Sequence, residues 1–146
     1  MNISTPVQEK NTNELLTNDA EIIARSLLVS RHLDDYLGHL KVLVKSRFCE
    51  TKDDNRYQSK LHGLAWTATY VEALKQMSIW AEQLYKRESF SKSERIILIL
   101  SFNEYLNQIF GGIMMSQNEI IRPADIDHKK EALEKLNCQE VLFFRD

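Results

Sequence analysis

Three polar residues in the first hydrophobic segment carry side chains that could bind a metal. His32, Asp35 and His39 stand at i, i+3 and i+7, so they share one face of a helix. Two imidazoles and a carboxylate are ligands for zinc or iron. Because a helix rises about 10 Å over seven residues, both rings would struggle to reach one ion. A di-iron bundle would need Glu-x-x-His pairs, which the sequence lacks. We therefore interpret these residues as solvated and predict no metal site.

Two carboxylates interrupt otherwise apolar helical segments. Glu72 and Glu104 could serve as general bases if burial raised the pKa of either carboxyl group. Such residues more often face solvent or pair with a lysine, arginine or tyrosine. The local sequence nominates no Ser-His-Asp or Cys-His arrangement, and a triad is defined in space rather than along the chain. No catalytic residue is predicted, and whether the chain is an enzyme stays open.

The segment IFGGIMMSQNEIIRPADI contains two adjacent glycines, Gly111 and Gly112. It fits neither the G-x-x-x-x-G-K-[ST] nor the G-x-G-x-x-G phosphate-binding pattern, and no strand is predicted before it. Adjacent glycines in a helical run favour close packing, a kink or a helix end. Ser116 and Glu119 then resemble a capping box, and Pro123 ends the turn before it. We predict a helix end, a capped turn and a tight packing point at the two glycines.

Aromatic residues are concentrated in the second predicted helix, which is apolar over much of its circumference. Trp66, Tyr70 and Trp80 could stack a flavin or a base, but packing in a core or an interface is the commoner use of such rings. The candidates for interaction or packing are Trp66, Tyr70, Trp80, Gly111, Gly112, Met114 and Arg122.

The fold follows from helix caps, the scarcity of glycine and the absence of proline between Pro6 and Pro123. The first predicted helix runs from near Asn18 to about Phe48–Glu50, and the second runs from about Asn55, after a cap-like stretch that begins at Thr51, to about Lys86. The third begins at the capping box of Ser91 and ends at the two glycines. The fourth runs from about Asp125 to Asn137. We predict an all-α, up-and-down helical bundle of three to four long helices plus a short C-terminal helix. Residues 1–16 are expected to form a flexible arm, and residues 17–146 a single helical domain.

Composition limits the possible partners. The chain has 146 residues with a net charge of −2, which gives no electrostatic reason to expect nucleic acid or an anionic membrane. Its start lacks the pattern of a secretory signal, and no apolar run is long enough to span a membrane. Cys49 and Cys138 lack metal-binding spacing and are expected to be reduced thiols. Cytoplasmic localisation is the expectation by elimination.

Two segments resemble the helical N-terminal extension of acyl-CoA dehydrogenases: GLAWTATYVEALKQMSIWAEQL (Gly63 to Leu84) and EYLNQIFGGIMMSQNEIIRPADI (Glu104 to Ile126). The resemblance extends from about Asp19 onward and is loose in the first helix. The family often has proline where this chain has Met114, which predicts a different local bend. The resemblance implies an FAD-dependent oxidoreductase family, but the flavin-binding and thioester-binding segments and the catalytic carboxylate of that family have no counterpart here.

The resemblance therefore implies a non-catalytic helical module without a cofactor of its own. We expect it to act by packing, either on an acyl-CoA dehydrogenase core or on a second copy of itself. The alternative is a module that binds a small molecule, such as acyl-CoA or flavin, in an apolar slot between Gly111 and Met115.

Overall fold

Three long helices make up most of the chain in the computed structural model, which describes residues 18–48, 55–127 and 130–145. They are α1 (Asp19–Phe48), α2 (Asn55–Lys86) and α3 (Lys92–Gly111), followed by β1 (Ile113–Ser116), β2 (Glu119–Ile121), α4 (Pro123–Ile126), α5 (Glu131–Leu136) and α6 (Gln139–Arg145). The predicted all-α fold is confirmed, with one small hairpin as the exception. The predicted arm at residues 1–16 and the cap-like residues 51–54 lie outside the described residues.

The core forms where α2 lies between α1 and α3 and contacts both helices. Four apolar residues of α1 have the 4-3-4 spacing of one helical stripe, and all four are buried: Leu33, Leu37, Leu40 and Val44. The facing stripe on α3 consists of Leu98, Phe102, Leu106 and Ile109. Between α1 and α2, the buried hydroxyl groups of Ser30 and Ser78 lie 2.9 Å apart, so each hydroxyl has a polar partner inside the core. No helix in the described part of the chain is long and apolar enough to cross a membrane.

The start of α3 has the predicted capping box. The Ser91 hydroxyl accepts a hydrogen bond from the Ser93 backbone N–H, and the Ser91 backbone N–H donates to the Glu94 carboxylate at 3.0 Å. The Ser91 hydroxyl also donates to Glu94 and holds the pKa of that carboxyl below its usual range. These bonds satisfy backbone donors that the helix itself leaves unpaired.

Replacing Ser91 by alanine is expected to lower the free energy of unfolding by about 1 kcal/mol and to raise the pKa of Glu94. Because the folded-state pKa of Glu94 is depressed, this stabilisation is present above the pKa of the unfolded chain and is lost as the pH falls. The penalty should therefore shrink in acid. Denaturant unfolding measures the first effect and an NMR titration the second, with Ser93→Ala as the control. Equal losses in both variants would contradict the cap assignment.

The segment after α3 is a β-hairpin, which corrects the prediction of a capped turn. The strands pair antiparallel, with Ile113 opposite Ile121 and Met114 opposite Ile120. Ser116 and Glu119, which resembled a capping box, are register partners on either side of the hairpin turn. Alternating hydrophobicity does not predict this hairpin, because its strands have only 4 and 3 residues.

The C-terminal region is also divided differently from the prediction. The single helix expected at 125–137 is wrong: the chain forms α4, α5 and α6 instead. Pro123 begins α4 as its first residue, where its missing N–H costs nothing. The chain then turns through Lys130 in a left-handed conformation, and the buried Asp127 carboxylate accepts a hydrogen bond from the Ala132 backbone N–H at 3.2 Å. No proline or glycine marks this break in the sequence.

Candidate interaction surface

The hairpin is apolar on both of its faces. The inner pair, Ile113 and Ile121, is buried. The outer pair, Met114 and Ile120, is 64% and 44% exposed. Directly opposed residues of an antiparallel pair have side chains close enough to touch, so Met114 and Ile120 form one continuous apolar spot. Antiparallel sheets with one solvated face usually place polar residues there. The outer face of the hairpin therefore departs from the pattern of a solvent-facing surface.

Two glycines position the hairpin. A Cβ atom at Gly63 of α2 would lie 2.4 Å from Cγ1 of Ile121, so the inner strand face packs directly on the α2 backbone. Gly112 has a φ of 135°, a conformation that favours glycine, and its Cβ would lie 2.9 Å from Cγ2 of Ile120. From the sequence, we predicted tight packing at Gly111 and Gly112. In the folded chain the close approaches occur at Gly63 and Gly112, whereas a Cβ at Gly111 would meet nothing within 4 Å.

A row of half-buried aromatic rings runs beside the hairpin. The Trp66 and Tyr70 rings meet edge to face with centroids 6.4 Å apart, and the Tyr70 ring lies 4.8 Å from that of Tyr105 on α3. These separations are those of favourable aromatic pairs. We call Trp66, Tyr70 and Tyr105 the aromatic row. Tyr105 was missed as a candidate, because only the packing of α3 on α2 brings it beside Tyr70.

Two rings of the row have hydrogen-bonded polar atoms. The Tyr70 hydroxyl donates to Oε1 of Gln108 at 2.7 Å, and the Trp66 Nε1–H donates to Nε2 of His62 at 3.1 Å. Burial raises the pKa of Tyr70, and the neighbouring Tyr105 and Glu104 act in the same direction. His62 in turn lies 3.7 Å from the Glu119 carboxylate of β2. Trp66 is thus linked to the hairpin through His62 and Glu119.

Of the two remaining interaction candidates, Trp80 lies apart from the row and Arg122 directly follows the hairpin. Trp80 is half-buried and packs against the core. It lies about 21 Å from Trp66 along the axis of α2, because the two residues are 14 positions apart and a helix rises about 1.5 Å per residue. Arg122 is exposed, and its backbone N–H donates to the Asp125 carboxylate at 2.7 Å. The structure therefore brings Trp66, Tyr70, Gly112, Met114 and Arg122 to one end of the bundle and leaves Trp80 elsewhere.

The two candidate carboxylates are not arranged as buried bases. Glu72 and Glu104 are both exposed. Each accepts a hydrogen bond from a glutamine one turn further along its own helix, at 2.7 Å for Gln76 to Glu72 and 2.6 Å for Gln108 to Glu104. These contacts stabilise the helix surface, as side-chain pairs at i, i+4 do.

A second exposed apolar group lies on the outer side of α3 and was not nominated from the sequence. It consists of Ile96, Ile97 and Leu100. Ile97 lies outside the core although its neighbour Leu98 is buried, because the core face of α3 consists of Leu98, Phe102, Leu106 and Ile109. We call this group the α3 patch and treat it as the competitor of the hairpin for any docking role.

The fold and the surface define a small helical module with an apolar hairpin and an aromatic row at one end. No family model matches the chain. The resemblance to the acyl-CoA dehydrogenases is confirmed by sequence comparison, since the chain is similar to part of a protein of that family. It is 40% identical over 117 residues to the (2S)-methylsuccinyl-CoA dehydrogenase of Cereibacter sphaeroides, a match that covers 77% of this chain. The chain spans only 19% of the length of that relative.

Proposed function

We propose that this chain is a non-catalytic helical module that docks onto an acyl-CoA dehydrogenase core through the hairpin and the aromatic row. The observation that carries the proposal is the exposed pair Met114 and Ile120 on the outer face of the hairpin. The similarity to a fifth of a dehydrogenase supports it, because the other four-fifths of that relative offer a surface for such a module to cover.

Burial of the outer hairpin pair would supply the main driving force for docking. A fully buried apolar side chain contributes about 1.5–3 kcal/mol relative to exposure. The aromatic row adds large rings, and the polar atoms of Trp66 and Tyr70 already have partners, so that little desolvation of these two groups opposes contact. Exposed Arg122 and half-exposed Glu119 flank Ile120 along the chain and resemble the polar rim of an interface.

In this proposal, the dehydrogenase core carries out the reaction. FAD and the acyl-CoA substrate would be held by the dehydrogenase core, and this chain would contribute packing without a catalytic residue. Self-association is a competing use of the same surface. Binding of acyl-CoA or flavin at Gly111–Met115 is a less suitable use, because Met114 there projects from an exposed hairpin face rather than into an enclosed slot.

Replacing Met114 by glutamate is expected to weaken docking at least about tenfold, a loss of about 1.4 kcal/mol, because a charge would be placed in an apolar contact. The partner is the C. sphaeroides dehydrogenase prepared without its matching segment, and isothermal titration calorimetry gives the affinity. Met114→Leu should retain binding. FAD and an acyl-CoA are titrated into the chain alone as separate samples.

The matched control is Val42→Glu, which places the same charge at an exposed apolar position of α1. It should leave the affinity unchanged, and so should Leu100→Glu in the α3 patch. Loss of binding in Leu100→Glu with binding retained in Met114→Glu would move the docking site to the α3 patch. Heat from FAD or acyl-CoA with the chain alone would favour the small-molecule alternative.

A further inference from the structure

Three residues with strong metal-binding atoms meet where α1 and the C-terminal segment come together, and none of them belongs to the hairpin or the aromatic row. An imidazole nitrogen of His32, the sulfur of Cys138 and a carboxylate oxygen of Glu140 all lie within 4.8 Å of one another. All three side chains are partly buried. We call these residues the His-Cys-Glu cluster. Spacing along the sequence hides the cluster, because His32 lies in the first helix and the other two lie near the last.

Local structure fixes two of the three positions. The carbonyl of Cys138 accepts a hydrogen bond from the Leu142 backbone N–H at 3.0 Å, so Cys138 is the residue that precedes α6 and caps it. Glu140 follows in the first turn of α6. Contacts of α6 with α1 then bring both side chains to His32. The cluster therefore joins the C-terminal segment to the first helix.

The donor set suits a particular class of ion. A thiolate, an imidazole and a carboxylate together are ligands of zinc and related transition metals, whereas magnesium and calcium prefer all-oxygen sites. In a tetrahedral zinc site with these bond lengths, neighbouring ligand atoms lie about 3.5 Å apart. The ligand atoms would need to approach one another by about 1.3 Å at most, which side-chain rotation can supply.

Hydrogen bonds hold the Glu140 carboxylate beside Cys138. The carboxylate accepts from its own backbone N–H and from the Cys138 side chain, and a bound ion would take the place of the second of these bonds. Arg25 is the nearest positive charge outside the cluster. Arg25 is itself paired with Glu21 at 2.7 Å and lies over the Phe143 ring, so its repulsion of a cation is partly neutralised.

We propose that His32, Cys138 and Glu140 form a binding site for a zinc-class divalent ion. Three protein ligands leave one tetrahedral position for water or another ligand. His32 also lines a cavity of about 270 Å³ between α1 and α5, together with Asp35, Tyr36, His39 and Lys135.

The test is direct titration of the purified full chain, in a phosphine reductant, with Zn²⁺, Co²⁺ and Mg²⁺. Zn²⁺ is expected to bind once per chain with release of the Cys138 proton, so its affinity should rise with pH. The Co²⁺ complex should show the near-ultraviolet charge-transfer band of a thiolate ligand. Loss of an outer-shell partner already weakens metal sites 10–100-fold, so Cys138→Ser, His32→Gln and Glu140→Gln should each weaken Zn²⁺ binding at least about 100-fold. Mg²⁺ should not compete.

Two matched variants separate this cluster from its neighbours. Cys49→Ser removes the only other thiol of the chain, and His39→Gln removes the second histidine of the same cavity. Both should bind Zn²⁺ like the unmodified chain. The proposal is overturned if Co²⁺ gives no thiolate band, or if Cys138→Ser binds as tightly as the unmodified chain. A loss in His39→Gln equal to that in His32→Gln would refute the assigned ligand set. Circular dichroism of each variant checks that it is folded.

Discussion

Replacing Phe144 by alanine is expected to lower the free energy of unfolding by about 3–5 kcal/mol, the usual cost of removing a buried phenylalanine side chain. Phe144 is 2% exposed, and its ring centroid lies 4.7 Å from that of the buried Phe102. Its carbonyl also accepts a hydrogen bond from Nδ2 of Asn103 at 2.9 Å. These contacts make α6 part of the core, although it is the last helix of the chain.

The adjacent residue supplies the control for this prediction. Phe143 is 36% exposed and contacts the guanidinium of Arg25, with Cζ of Arg25 4.7 Å from the ring centroid. Its ring also meets that of Phe144 edge to face, with centroids 5.0 Å apart, so Phe143→Ala should cost about 1–2 kcal/mol, less than Phe144→Ala. Guanidinium-induced unfolding followed by circular dichroism measures both losses. If the two variants lose the same stability, or if Phe144→Ala changes nothing, α6 does not unfold together with the bundle.

Alanine is expected to have opposite effects at two helical glycines. Gly63→Ala should destabilise the fold by about 1–3 kcal/mol, the range for an overpacked contact, because the new methyl group would overlap the Ile121 side chain. Gly38→Ala should stabilise it by about 0.5–1 kcal/mol, because a Cβ at this position of α1 meets nothing within 4 Å and alanine favours the helix.

A double-mutant cycle separates the steric contact from helix propensity. Truncation of Ile121 to alanine removes its Cγ1, which a Cβ at Gly63 would approach to 2.4 Å, and keeps its Cβ at 2.9 Å, so Gly63→Ala should cost less, though still something, in an Ile121→Ala background. The expected coupling is about 1 kcal/mol or more, as measured by denaturant unfolding of the four proteins. Additive losses, or a stabilised Gly63→Ala single variant, would show that the hairpin does not pack on α2 at this position.

The long helices could be predicted from the sequence because their signals are local. Asn18 caps α1 through a hydrogen bond from the Ala20 backbone N–H, and Ser91 caps α3. The stripe that includes Leu33 and Leu40 has the period of a helix over several turns. A capping residue and a sustained period are present in the sequence whatever the rest of the chain does, and both features were confirmed.

The hairpin and the contacts around it could not be predicted in the same way. Strands of 4 and 3 residues show too few alternations to be distinguished from a turn. The role of Gly63 depends on Ile121, which is distant in the sequence. Nothing in the local sequence shows that Gly111 has room for a Cβ atom and that the adjacent Gly112 does not. Contacts between distant residues decide these features, and the sequence pattern does not encode them locally.

Only part of the candidate surface could be predicted from the sequence, because contacts between distant residues decide the rest. Trp66, Tyr70 and Met114 were nominated by residue type, and the structure places them at one end of the bundle. Ile120 was not nominated, because its exposure follows from its pairing with Met114 across the hairpin. The role of all these residues in docking stays a prediction.

The central claim is that this chain docks onto an acyl-CoA dehydrogenase core. Sedimentation velocity tests it most directly, on the unmodified chain alone, on the C. sphaeroides dehydrogenase prepared without its matching segment, and on their mixture. The account predicts that the chain alone sediments as a monomer and that the mixture contains a new, faster species that includes both proteins. A mixture that sediments as the sum of its two components would contradict the account. A stable dimer of the chain that leaves the core unbound would contradict it equally, and would assign the hairpin surface to self-association.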